Sequence, residues 1–322
     1  MKTRLLTSLG IVFVLALGFI LKIFVSNYFF DAIILAIACV SSFELSKMFT
    51  KMGRNNDKIM ATAFPIVAMV IMLICVNGDQ NLGVLFTIGI TAMFIVLCFG
   101  VTFVIPLLTY KTTLNEIKTK NLDNQSVMKY SLNKALNTAI IFVYPAFLIL
   151  FLSLINHFED MTGSFAGIVG QNGWLSFYLM LFALLIPIFT DTFAYIVGNI
   201  FGGKKLAPKV SPNKTISGAV GGFAFAILLS VVVYFIFNAI PSMALMFSSV
   251  GINVWKVIII SAIGSIICQL GDLFESYLKR RAGVKDSGSF LPGHGGMLDR
   301  FDSYVFVAPF LFMAFSIIFA LI

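Results

Sequence analysis

The chain has 322 residues, 59% hydrophobic and 11% charged, with 35 phenylalanines and a mean hydropathy of +1.00. A soluble domain carries about 45–50% apolar and about 25% charged residues, so a soluble enzyme, a disordered chain and a secreted disulfide scaffold are excluded. The net charge of +8 comes from 22 Lys and Arg against 14 Asp and Glu; in a soluble protein it would favour nucleic acid, whereas here it reads as the positive-inside bias of a membrane protein.

Runs long enough to span a bilayer, about 20 mostly apolar residues, are predicted in chain order at roughly 5–25, 28–46, 59–76, 84–108, 135–155, 174–200, 216–240, 254–278 and 301–322. The first follows Met1-Lys2-Thr3-Arg4 and resembles a signal peptide. It is long enough to span, and no small-x-small cleavage pattern follows, so a retained helix is expected. Pro241–Asn253 is apolar but too short to span and is expected at the interface. Cys39, Cys75, Cys98 and Cys268 each sit in an apolar run without CxxC spacing, which reads as small buried hydrophobes. No soluble domain fits between two spans, and no internal repeat is evident.

The polar connections fix the sidedness. Lys2 and Arg4 precede the first span; Lys47, Lys51, Arg54 and Lys58 separate the second and third; Lys111, Lys118, Lys120, Lys129 and Lys134 separate the fourth and fifth. Lys204, Lys205, Lys209 and Lys214 lie between the sixth and seventh, and Lys279, Arg280, Arg281, Lys285 and Arg300 between the eighth and ninth. The other connections hold only Lys22 and Lys256, so 20 of the 22 basic residues fall on one side. The expected fold is therefore an all-α, polytopic integral membrane protein of about nine transmembrane helices, with a cytoplasmic N-terminus and an external C-terminus. Residues 1–155 would form five N-terminal spans. Residues 156–322 would form a catalytic region of four spans with two cytoplasmic loops.

Five acids near or inside apolar runs are functional candidates, because carboxylates at membrane depth are costly: Asp191, Asp272, Glu275, Asp299 and Asp302. The span directions bring all five to the cytoplasmic side, where nucleotides are found. Asp272, Glu275, Ser276 and Lys279, spaced i, i+3, i+4 and i+7, share one helix face. Asp299 and Asp302 share another at the start of the ninth span. Two such carboxylate pairs could hold one or two hard divalent cations, and magnesium suits carboxylate plus phosphate oxygens; alternatively, Asp299 and Asp302 form an acidic first turn favoured by the helix dipole.

The loop 279–303 combines Gly283, Gly288, Gly293, Gly295 and Gly296 with basic residues that could neutralise phosphates, or act as inside anchors on anionic lipid. His294, between Gly293 and Gly295, could donate to a phosphate, act as a general acid or be structural. The other polar connection, Gly202-Gly203-Lys204-Lys205 then Ser211-Pro212-Asn213-Lys214-Thr215, leads into a helix start and could bind phosphate, but it is no Walker A motif. Gly218 and Gly222 form a small-xxx-small pair, expected to serve helix packing.

Ser276-Tyr-Leu-Lys279-Arg280, Lys285-Asp286-Ser-Gly and Leu291-Pro-Gly-His294-Gly-Gly-Met-Leu-Asp299-Arg300-Phe-Asp302 resemble the signature of the phosphatidate cytidylyltransferase (CDP-diacylglycerol synthase) family over 27 residues. Asp191-Thr-Phe-Ala-Tyr195, Gly198, Phe201-Gly202 and Ser211-Pro-Asn-Lys214-Thr215 resemble the family's second block, so the resemblance covers about 40% of the chain. Two departures stand in that block: Gly203-Lys204-Lys205 replaces the usual Gly-Lys-x-Lys, and Ser217 stands where the family usually has Glu.

The resemblance implies a Mg²⁺-dependent nucleotidyltransferase that makes CDP-diacylglycerol and pyrophosphate from CTP and phosphatidic acid for phospholipid synthesis. It implies Asp272 and Asp299 as metal ligands with Asp302 close by. His294 and Lys285 are further catalytic candidates, and Asp191, Lys205, Ser211, Lys214, Thr215, Ser276, Lys279, Arg280 and Arg300 are substrate-binding candidates. The expected location is the cell (inner) membrane with the active site on the cytoplasmic side. Expected partners are CTP, phosphatidic acid and the bilayer, with no nucleic acid, and a homodimer is compatible with the sequence. A CTP-dependent lipid kinase of the dolichol or phytol type would use similar residues but release CDP. An ion-coupled transporter would more naturally carry midplane acids and inverted repeats.

Overall fold

The computed structural model describes residues 2–76, 124–161, 173–293 and 295–320. In hydrocarbon every backbone N–H and C=O needs a partner within the protein, and a helix supplies it within one segment. The apolar runs accordingly form helices: α1 Lys2–Phe24, α2 Tyr28–Lys51, α3 Lys58–Val76 and α4 Asn124–Ile141. A kinked segment, Phe142–Phe147, in which Tyr144 leaves helical geometry, joins α4 to α5 Leu148–Asn156. Then come α6 Phe158–Met161, α7 Trp174–Phe201, strands β1 Lys205–Ala207 and β2 Ser211–Thr215, α8 Ile216–Asn238, α9 Pro241–Ser249, α10 Val254–Arg281 and α11 Leu298–Ala320.

Among the described residues, seven segments are long and apolar enough to cross a membrane: Tyr28–Lys51, Lys58–Val76, Lys129–Asn156, Trp174–Phe201, Ile216–Asn238, Val254–Arg281 and Leu298–Phe319. The chain is a polytopic membrane protein. Each of these seven coincides with a predicted span. The predicted span 5–25 falls largely within α1, whose apolar stretch Phe13–Phe24 is shorter, and 84–108 lies outside the described residues. The β1–β2 hairpin is an addition to the all-helical expectation. Its polar Ser211-Pro-Asn-Lys-Thr215 strand carries no β-branched alternation by which it could be read.

Close helix packing brings α7, α8, α10 and α11 together. An added Cβ on Gly218 or Gly222 of α8 would come within 2.5 Å of the Ala194 or Thr190 carbonyl oxygen of α7, so these glycines do serve helix packing. Thr190 Oγ1 and Ser265 Oγ, 3.0 Å apart, tie α7 to α10. Phe151 of α5 meets Phe312 of α11 edge-on at 5.6 Å.

The start of α2 and the end of α5 enclose a polar network. Lys22 Nζ donates to Asn156 Oδ1 and O and to Asn27 Oδ1 at 2.7–3.0 Å. Asp31 accepts from Ser153 Oγ and Asn156 Nδ2. His157, 2% exposed, lies 2.6 Å from both Asp31 Oδ2 and Asp160 Oδ2. Burial disfavours its protonation, but hydrogen bonds to Asp160 and Asp31 outweigh it and raise its pKa to about 9.

Candidate functional site

At the other end of these helices, Gly202 stops α7 in a conformation with φ 58 that favours glycine, and the chain turns into the hairpin. β1 and β2 pair antiparallel, with Lys205 opposite Thr215 and Ala207 opposite Ser211. Thr215 then caps α8, its Oγ1 accepting from the Gly218 N–H at 3.1 Å. Ser217 donates to the Gly202 carbonyl. The residue that departs from the family pattern thus ties the start of α8 to the turn that ends α7.

The hairpin, α7, α8 and α10 surround a cleft of about 520 Å³ whose walls include Asp191, Lys205, Lys214, Thr215 and Asp272. This volume falls in the usual range for small-molecule sites. Lys214 Nζ sits 2.5 Å from Asp272 Oδ2, and Ser276 Oγ donates to Asp272 Oδ1 at 3.4 Å. Asp191 accepts from Ser303 Oγ of α11 at 3.2 Å and from the Cys268 thiol at 3.7 Å. The pair Lys214 and Asp272 is only partly buried, each side chain 26% exposed, so a ligand can reach both charges.

Beside the cleft, α10 presents Asp272, Ser276 and Lys279 as the spacing predicts. Lys279 pairs with Glu275 and, at 2.7 Å, with Asp299 Oδ1. Asp299 also accepts from the Ser287 N–H at 2.9 Å and the Gly296 N–H at 2.7 Å. It therefore organises the start of α11 and the loop before it, as an acidic first turn would. Asp302 is buried, accepts from the Ser303 N–H at 2.7 Å, and lies in electrostatic range of Asp272, Glu275 and Asp191.

Glu44 of α2 enters the same loop. It is 4% exposed and accepts from the Met297 N–H at 3.0 Å, the Leu298 N–H at 2.9 Å and Ser287 Oγ at 3.1 Å. Glu44 is not among the acids that the sequence marks as candidates. A signal existed, because it is an acid inside a predicted span, but nothing in the sequence indicates its distant partners.

The remaining candidates are more dispersed. Arg280 Nε donates to the Val210 carbonyl at 3.1 Å, tying α10 to the hairpin. Ser211 sits in β2 away from the cleft lining. Lys285 and Arg300 are exposed on the loop and at the start of α11, and His294 lies outside the described residues.

The expected ligand set of Asp272, Asp299 and Asp302 is not gathered into one cluster: among the described residues, no group of three or more His, Cys, Asp and Glu is arranged to hold a metal ion. Asp299 is engaged by three protein donors. The carboxylates that share the open cleft are Asp191 and Asp272, and magnesium commonly takes one or two carboxylates with substrate phosphates supplying further ligands. The donor chemistry of the cleft thus fits a nucleotide-borne magnesium ion.

Residues 2–318 match the cytidylyltransferase family. Over 134 residues the chain is 46% identical to a phosphatidate cytidylyltransferase of Staphylococcus haemolyticus, covering 42% of this chain and 47% of that protein. The corresponding protein of Staphylococcus epidermidis is 48% identical over 132 residues, 41% of this chain and 46% of the relative. That of Staphylococcus aureus is 46% identical over 134 residues, 42% and 47%. The chain thus spans about half the length of the curated relatives it matches. With the family match running through nearly every described element, the chain belongs to the cytidylyltransferase family.

Proposed function

We propose that the chain is a phosphatidate cytidylyltransferase, making CDP-diacylglycerol and pyrophosphate from CTP and phosphatidic acid. The observation that carries this reading is the cleft in which Lys214 and Asp272 form a partly exposed ion pair, with Asp191, Lys205 and Thr215 around it. A lysine held by a carboxylate is a charge already positioned for a phosphate, and exchanging one anionic partner for another needs little rearrangement.

In the proposed reaction an oxygen of the lipid phosphate bonds to the α-phosphorus of CTP. The bond from that phosphorus to the bridging oxygen of the β-phosphate breaks, and pyrophosphate leaves. Such transfer depends on positioning and charge neutralisation rather than a covalent enzyme intermediate. Lys205 and Lys214 would bind the triphosphate, assisted by the N-terminus of α8. Ser276 orients Asp272, while Lys279 and Asp299 hold the adjoining loop. Asp191 and Asp272 would hold a magnesium ion carried by the nucleotide, which supplies charge neutralisation of the phosphates when bound.

The same reading assigns a cytoplasmic N-terminus, nine spans and a cytoplasmic cleft at the cell membrane, with residues 1–155 as the supporting half and 156–322 as the catalytic half. It is supported by the one-sided distribution of basic residues. A site at the membrane face lets a soluble nucleotide meet a lipid headgroup whose tails stay in hydrocarbon.

The test is to supply the purified chain in detergent with α-³²P-CTP, phosphatidic acid and Mg²⁺. Label in the lipid product with release of pyrophosphate is expected. Label remaining on CDP would overturn the reading in favour of a lipid kinase.

A further inference from the structure

We infer that Glu44 of α2 is a positioning residue for the proposed reaction: from the N-terminal half of the chain, it anchors the loop that carries Lys285 and leads into Asp299 at the start of α11. The inference rests on the cytidylyltransferase reading of that site.

Glu44 and Asp299 grip the loop from two sides. Ser287 donates its backbone N–H to Asp299 and its hydroxyl to Glu44. Farther along, Gly296 donates to Asp299, while the next two N–H groups, of Met297 and Leu298, donate to Glu44. The first N–H groups of a helix have no partner within it, and here a carboxylate from another span takes those at the start of α11, where the helix dipole also favours negative charge.

Connection to the cleft runs through side chains already described. Asp299 pairs with Lys279, which pairs with Glu275; both stand on α10 on the face that carries Asp272. Displacing the Glu44 carboxylate would release Ser287, Met297 and Leu298, and with them the donors that fix Asp299.

The glycines of the loop fit this role. An added Cβ at Gly288 would collide with the Glu44 carboxylate, and one at Gly296 with Glu44 and Ser287 Oγ. These positions are bare because the carboxylate fills the space beside them. A glutamine at position 44 would keep the size but turn an amide N–H₂ toward a set of donors, leaving at least one of them unpaired inside the protein.

The experiment compares the full chain with its E44Q and Gly288→Ala variants in detergent. It measures kcat and KM for CTP with phosphatidic acid, thermal stability, and amide hydrogen exchange over peptides covering 283–298. Groups that orient a functional residue through a hydrogen bond typically cost about 10- to 100-fold in activity when removed. E44Q is therefore expected to lower kcat by about 10- to 100-fold, with KM for CTP changed by less than about threefold and faster exchange confined to 283–298.

Gly288→Ala, which displaces the same carboxylate without removing its charge, should do likewise. The double variant should be no slower than the worse single one, because both remove the same anchor. A kcat within twofold of the parent in either folded variant would overturn the inference, as would a loss that only tracks the folded fraction while loop exchange stays unchanged. If the parent itself makes no CDP-lipid, the activity reading falls, and loop exchange alone decides the anchoring: faster exchange in E44Q supports it, and unchanged exchange overturns it. Should E44Q fail to fold, Gly288→Ala carries the same comparison.

Discussion

Two polar regions occupy opposite ends of the helices, and they solve the problem of charge in a membrane protein differently. Around His157, each charged group meets a protein partner at hydrogen-bond distance: Lys22 on Asn156 and Asn27, Asp31 on Ser153, Asn156 and His157, and Asp160 on His157. Around Asp272 the charges line an open cleft, and the central ion pair is partly exposed to it. A closed network holds elements together, whereas an open one can trade its partners for a ligand. Acidic residues in predicted spans therefore do not share one meaning; the space beside them separates a fastening from a site.

Substitutions at the two ends should part company, and the largest effect is expected at the closed end. Asp31→Asn leaves His157 and its neighbours with a broken buried pair, worth about 3–5 kcal/mol. The melting temperature in detergent should fall clearly while kcat per folded molecule stays within about twofold. Asp272→Asn should do the reverse, lowering kcat by about 10²- to 10³-fold with little change in melting temperature. If both variants lost stability and activity in parallel, the division between fastening and site would be wrong.

The pH response sharpens the contrast. His157 titrates higher in the folded protein than in an unfolded chain, so its contribution is complete below about pH 6.5 and is lost as pH rises through about 9. At about 1.36 kcal/mol per pH unit this approaches about 3 kcal/mol. Thermal unfolding measured from pH 6 to 10 should show the decline in the parent, with a flatter profile in His157→Gln. The smallest effect is expected from Lys214→Ala, which on the proposed reading removes one charge-assisted contact to phosphate. KM for CTP should rise by about 10-fold, with a smaller change in kcat, as steady-state kinetics at saturating lipid would reveal.

Much of this architecture was legible in the sequence because it rests on strong one-dimensional signals. Long apolar runs can only satisfy their backbone as helices, and seven predicted spans coincide with described ones. The spacing of Asp272, Glu275, Ser276 and Lys279 agrees with the contacts Ser276–Asp272 and Lys279–Glu275 along α10, and Gly218 with Gly222 foretold close packing.

What escaped depends on contacts between distant segments. The polar β2 strand takes its shape from pairing with β1 rather than from its own alternation. The grouping of Asp191 with Asp272, and the engagement of Asp299 by Lys279 and loop amides, depend on how helix ends meet. Glu44 and Asp31 are both acids in the second predicted span. Spacing cannot reveal that one reaches a loop 243 residues away and the other a histidine 126 residues away.

The most direct test of the nucleotide site is photoaffinity labelling of the full chain in detergent with a radiolabelled azido analogue of CTP, followed by peptide mapping. Label that unlabelled CTP competes away should fall on peptides containing the hairpin, residues 191–203 or the stretch around Asp272, and should weaken in Lys214→Ala. Competable label confined to peptides around Asp31 and His157, with none at the cleft, would contradict the account.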